Sequence, residues 1–161
     1  MAGTKIIYPG QLSLADIEEF WSKDLLGQLD ANAYTAIDAS FQAVRDVIAS
    51  EKIVYGINTG FGSLVNQTIP THQLLQLQQN IVLSHACGTG ELLDDEIVAL
   101  ILLLKINCLA QGYSGVSRDL IGAFLAFYNH RVYPCVPAKG SVGASGDLVP
   151  LAHLADRKSV V

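Results

Sequence analysis

The chain has 161 residues, half of them apolar and 16% charged, with a formal net charge of −5. That length carries a real hydrophobic core, and its ten Lys and Arg are scattered singly, without the basic face or arm that nucleic-acid binding needs. The longest apolar run, Ile97 to Leu104, stops at Lys105, well short of the roughly 20 residues of a spanning helix, so no membrane is expected.

The opening residues MAGTKIIYPG have no signal-like apolar core. Within them, Lys5 to Tyr8 reads as a short strand ended by the Pro9-Gly10 turn. Ser13 and Asp16 are spaced as a capping pair, and LADIEEFWSKDLL carries helical spacing at Leu14, Ile17, Phe20 and Trp21. A second helix is expected from Asn32 to about Ser50, with Tyr34, Ile37, Phe41, Val44 and Ile48 on one stripe. The stretch VYGINTGFGSL, Val54 to Leu64, is a glycine-rich loop.

Pro70-Thr71 opens a helix through about Cys87, with Gly88 as its stop. The next helix runs from about Asp95 to Gln111 and is apolar nearly all round, which predicts a central place in a bundle. Ser117 caps a further helix to about Asn129, and RVYPCVP is expected to be extended, since its prolines exclude helix. Asp147 is placed to cap the last helix, with Pro150 in its first turn. The fold class is mainly α, with a small α+β N-terminal portion and two glycine-rich loops. Residues 1–112 are expected to form an N-terminal helical and loop domain, 113–155 the start of a central helical domain, and 156–161 an atypical tail. Cys87, Cys108 and Cys135 are odd in number and lack metal-ligand spacing, as reduced thiols of a cytosolic protein do.

Three features can carry chemistry. Tyr55 lies beside flexible glycines, where its hydroxyl can move a proton; its alternative is a half-buried tyrosine making one hydrogen bond. Neither glycine loop matches GxGxxG after a strand or ends in Gly-Lys-Ser/Thr, so nucleotide binding is disfavoured. His85 shares a helical face with Leu74, Gln78 and Ile81, and serves either the helix C-terminus or a polar substrate. In GSVGASGDL, Gly140 to Leu148, Ser145 has no histidine or acid placed to activate it as a nucleophile. The loop is then either a plain connector or a site of backbone chemistry. In the latter, the Gly146 nitrogen, free of side-chain crowding, closes on the Ala144 carbonyl carbon. Loss of one water in ring closure, and of the Ser145 hydroxyl as a second, leaves a methylidene electrophile.

The segment KGSVGASGDLVPLAHLA, together with YGINTGFGSL and LQLQQNIVLSHACGTG in that order, resembles the three N-terminal motifs of the aromatic amino acid ammonia-lyase family. The resemblance covers about residues 50 to 155. It implies the N-terminal part of a long-helix-bundle lyase whose Ala-Ser-Gly tripeptide becomes 4-methylidene-imidazol-5-one (MIO), with no metal or nucleotide. It makes Ala144, Ser145 and Gly146 the source of the ring and Tyr55 the base for the substrate β-proton. Gly62 and His85 become pocket residues, with Asn58, Ser84 and Asp147 in support. The pair Ser84-His85 is similar to that of family members that turn histidine into urocanate. Phenylalanine-specific members carry Phe-Leu there and tyrosine-specific members His-Leu; some aminomutases also carry Ser-His. Tyr113 departs from the histidine found at that place in many histidine-specific members. The ending DRKSVV departs from the apolar helix with which family members continue. The resemblance therefore implies a fragment of a cytoplasmic homotetramer, inactive alone. The competing expectation is a non-catalytic helical fragment.

Overall fold

The computed structural model describes residues 3–50, 52–62, 65–143 and 146–156. It is mainly α, with six α-helices and four short strands among those residues. The chain divides into two compact units, Met1–Arg45 with Asp94–Tyr133, and Asp46–Leu93 with Pro134–Val161.

In the first unit, β1 (Gly3–Ile7) pairs in parallel with β2 (Leu25–Leu29), Gly3 opposite Leu25 and Ile7 opposite Leu29. Helix α1 (Leu14–Ser22) joins them, and Ser13 and Asp16 form the reciprocal capping box expected of their spacing. The helical reading of LADIEEFWSKDLL is too long. Lys23 turns extended at φ −119° and ψ 151°, and Leu25-Leu26 enter β2. Pairing with β1 satisfies one edge of β2, and Asn129 satisfies Gly27 on the other. The Asn129 Oδ1 accepts from the Gly27 N–H at 2.7 Å, and its Nδ2 donates to the Gly27 carbonyl at 2.9 Å. Backbone pairing with residues far along the chain thus overrides a locally helical pattern.

Most of α2 (Ala33–Ala49), with α4 (Asp95–Leu109) and α5 (Arg118–Asn129), completes this unit. Val98, Leu102, Leu103 and Ile106 of α4 are buried, as are Ile121, Phe124 and Tyr128 of α5. Ser117 caps α5, its Oγ accepting from the Leu120 N–H at 3.3 Å. On the surface, Lys5 lies 2.7 Å from Asp16 and pairs with Glu19. Lys5 holds the Asp16 carboxyl well below the usual carboxylate range. Lys23 and Lys5 together bring Glu19 down to about 2.

In the second unit, a 3-10 turn at Thr71–Gln73 leads into α3 (Leu74–His85), two residues shorter at its end than the sequence suggests. The strand β3 (Thr89–Leu92) pairs antiparallel with β4 (Pro137–Lys139), Thr89 opposite Lys139, and the Leu93 N–H extends the pairing to the Val136 carbonyl at 2.8 Å. Of the RVYPCVP stretch, only its final Pro137 lies in a strand. Helix α6 (Leu148–Ala155) packs against α3.

Candidate active site

The sequence-predicted residues fall in three segments of the second unit. The first is the glycine loop. Asn58 is buried, and its side chain ties the loop from inside: Oδ1 accepts from the Val54 N–H at 2.9 Å while Nδ2 donates to the Lys52 carbonyl at 2.8 Å. Its own carbonyl accepts from the Ile69 N–H at 2.9 Å, and Gly60 donates to Gln67 across the neighbouring Thr59–Thr68 bridge. Buried amide groups need such partners. Tyr55, held between these ties, is 61% exposed, with its ring edge-on to Phe61 at 6.0 Å. Gly62 lies at φ +58°, in the left-handed region.

The second segment is the end of α3. His85 folds back along its helix so that Nδ1 lies 2.8 Å from the Ile81 carbonyl oxygen. A carbonyl only accepts, so Nδ1 carries the hydrogen, and Nε2 is the ring nitrogen that remains for a ligand. Ser84 Oγ also donates to Ile81 at 3.1 Å and sits 3.1 Å from His85 Nδ1. One ring nitrogen of His85 thus serves the end of its own helix, through the Ile81 carbonyl. Along α3 the less exposed face is Leu74, Leu77, Ile81, Val82 and His85; Gln78, expected on it, is exposed.

The third segment is the loop from Gly140 into α6. Ala144 and Ser145 lie outside the described residues, but both flanks are defined. The Gly146 N–H, at φ +85°, donates back to the Gly143 carbonyl at 3.2 Å. Asp147 stands at the N-cap of α6 as expected, but its side chain does not cap the helix. Its backbone is left-handed, at φ 54° and ψ 40°, a conformation that Asp tolerates better than most residues. That backbone turns its carboxylate from the helix N–H groups to Ser141, whose Oγ–H donates to Asp147 Oδ1.

Gly146 carries no Cβ, and its left-handed backbone would strain any other residue there. Helix α3, which ends at His85, packs against α6, which Asp147 precedes. No hydrogen bond among the described residues links Tyr55 to His85 or to Asp147. No His, Cys, Asp and Glu cluster suited to a metal occurs among the described residues. A cavity of about 280 Å³ lies in the first unit against Trp21, Glu96, Arg131 and Tyr133, and none of the candidate residues lines it.

The sequence reading passed over two buried polar residues here: Thr59 in the glycine loop, and His153 of α6, whose Nε2 accepts from the Gly88 N–H at 3.0 Å. The signal of His153 was a single polar residue inside VPLAHLA, an otherwise apolar turn of helix.

A family model for aromatic amino acid lyases matches residues 12–157. The chain belongs to the aromatic amino acid lyase family. It is 64% identical over 149 residues to a histidine ammonia-lyase of Legionella pneumophila, covering 92% of this chain and 30% of that protein. Among solved structures it resembles ergothionase, the ergothioneine-degrading enzyme of Treponema denticola, with 28% identity and a TM-score of 0.87 over 93% of this chain and 30% of that one. It also resembles histidine ammonia-lyase from Trypanosoma cruzi, with 34% identity and a TM-score of 0.81 over 94% of this chain and 29% of that one. The chain thus spans about 30% of the length of the curated relatives it matches. Family members depend in general on MIO. No helix among the described residues is long and apolar enough to cross a membrane.

Proposed function

We propose that the whole protein containing this chain is a cytoplasmic homotetramer that eliminates ammonia from L-histidine to give urocanate. The observation that carries this reading is the 64% identity to a histidine ammonia-lyase across 92% of the chain. In this reading Ala144, Ser145 and Gly146 form MIO, whose electrophilic methylidene activates the substrate amino group for departure. The chain's own residues do the rest. Tyr55 removes the β-proton; its exposure leaves the phenol oxygen accessible to a substrate, and the Asn58 ties hold its loop. His85 orients the substrate. With its hydrogen committed to Ile81, the Nε2 lone pair accepts from an N–H donor, which an imidazole ring offers and a phenyl ring lacks. A site built to pair with a substrate N–H discriminates strongly against an analogue without it. Gly62 leaves room in the pocket, Ser84 steadies the histidine, and Asp147, held by Ser141, fixes the loop where it enters α6.

The test uses the full-length protein. The expected result is an intact mass lower than the translated sequence by two waters, with urocanate formed from histidine in preference to cinnamate from phenylalanine or coumarate from tyrosine. Ser145→Ala should abolish turnover while leaving the fold unchanged. An unmodified mass, or full activity in that variant, refutes the reading. A β-amino acid product in place of urocanate assigns the protein to the aminomutases. No turnover by wild type with any of these substrates favours a non-catalytic helical module.

A further inference from the structure

Five residues from three stretches of chain meet at one tight junction in the second unit. Gly88 follows α3 by three residues and donates its N–H to Nε2 of His153, which lies buried in α6. An N–H requires a lone pair opposite it, so the His153 ring is neutral at Nε2, with its hydrogen on Nδ1. A Cβ at Gly88 would stand 2.9 Å from that same Nε2 and 3.1 Å from Cβ and Cγ of Pro137. Gly140, which starts the loop leading to Ser145, has φ +130°, and a Cβ there would stand 2.8 Å from Cγ1 of Val149 and 3.3 Å from Cα of Gly88. These contacts leave no slack. The segment carrying His85 is tied at Gly88, the loop at Gly140, and both meet α6 within two turns of its start.

We propose that His153 is a positioning residue: by accepting from Gly88 it sets His85 against the loop that ends in Gly146, and so governs substrate affinity. The proposal rests on the lyase reading above. In this role His153 acts through the backbone between His85 and Gly88, by way of its bond to the Gly88 N–H. Apolar packing alone does not fix that backbone, because no residue of α3 is buried. Losing an acceptor at a part-buried N–H leaves that group unsatisfied, a change worth about one order of magnitude in an equilibrium.

The experiment compares His153→Leu, His153→Gln and Gly88→Ala in the full-length protein. Leu cannot accept; the Gln amide oxygen reaches about where Nε2 stands; the Ala methyl presses on the tie from its other side. The expected result for His153→Leu is complete loss of two waters by mass, a KM for histidine raised about tenfold, and kcat little changed. His153→Gln should recover most of the KM, and Gly88→Ala should raise KM as His153→Leu does. Amide exchange at Gly88 should accelerate in His153→Leu and return towards wild type in His153→Gln, a readout independent of turnover. A wild-type KM in His153→Leu, equal effects of Leu and Gln, or unaltered Gly88 exchange overturns the positioning role. So does activity lost only in proportion to ring formation, which would make His153 a folding residue. A wild type that releases no ammonia overturns the lyase reading instead. If His153→Leu fails to fold, the KM of Gly88→Ala decides in its place.

Discussion

The loop that carries Ser145 is flanked by two glycines with opposite requirements, and substituting each by alanine separates backbone strain from mere flexibility. At Gly140, φ is +130°, a region that L side chains rarely adopt, and the new Cβ would meet Cγ1 of Val149 at 2.8 Å. Backbone strain of that kind costs about 1–3 kcal/mol. Overpacking adds about 1–3 kcal/mol, the more so because Val is stiff at χ1 and cannot easily swing away. The smaller entropy of the unfolded alanine chain returns about 0.4–1 kcal/mol. Gly140→Ala should therefore destabilise by about 1–5 kcal/mol, set against the ~5–15 kcal/mol that holds a typical domain. At Gly143 nothing lies within 4 Å of the added Cβ, and φ is outside the left-handed region. Gly143→Ala should then be neutral or stabilising by up to about 1 kcal/mol. The assay is urea unfolding followed by circular dichroism, with intact mass reporting whether two waters are lost. Gly140→Ala should unfold at lower urea and leave part of the protein unmodified, while Gly143→Ala does neither. Equal midpoints for the two variants, or a more damaging Gly143→Ala, would refute the assignment of strain and contact to Gly140.

Further outcomes follow from other residues. Asn58→Ala leaves the Val54 N–H and the Lys52 carbonyl without their partner; it should cost about 2–4 kcal/mol and lower kcat by loosening the Tyr55 loop, measured by urea unfolding and steady-state kinetics. Asp147→Asn should keep near-wild-type stability, since Asn tolerates the left-handed backbone and can still accept from Ser141, whereas Asp147→Val should destabilise by about 1–3 kcal/mol, read as a lower urea midpoint. Lys5→Met should lower the thermal midpoint at neutral pH by removing the partner of Asp16 and Glu19. Both carboxyls titrate lower folded than unfolded, so their contribution is present above the ordinary carboxylate range and is lost as pH falls from about 4.5 to about 2. The gap between variant and wild type should close across that window.

Where local chemistry decides, the sequence is a good guide. The stripe of α2, the apolar run of α4, and the caps at Ser13 and Ser117 each depend on residues within a turn or two of one another. The strand β2 was hidden because its partner lies some twenty residues earlier in the chain, and because Leu25-Leu26 continue the helical spacing of α1. Asp147 is the residue type expected before a helix, yet its left-handed backbone turns the carboxylate to Ser141, which no composition rule reveals. The candidate site behaves in the same way. Tyr55, His85 and Ser145 are legible as motifs, but the ring orientation of His85 depends on the Ile81 carbonyl, and the tie at His153 depends on packing between α3 and α6.

The two units are held together by different means, and this bears on how the site can work. Among the described residues, most of the buried hydrophobic side chains belong to the first unit, whereas the buried polar residues Asn58, Thr59 and His153 belong to the second. Apolar burial is strong but non-directional, and it tolerates small rotations of one helix on another. A hydrogen bond weakens steeply with angle, so it fixes orientation as well as distance. The second unit has its ties where orientation matters: Asn58 inside the Tyr55 loop, Ile81 under His85, His153 on Gly88, and Ser141 on Asp147. Its helix α3 meanwhile leaves Leu75 and Leu83 more than half exposed. A deleted polar contact in this unit therefore disturbs geometry as well as stability, whereas in the first unit a truncated core residue chiefly costs stability.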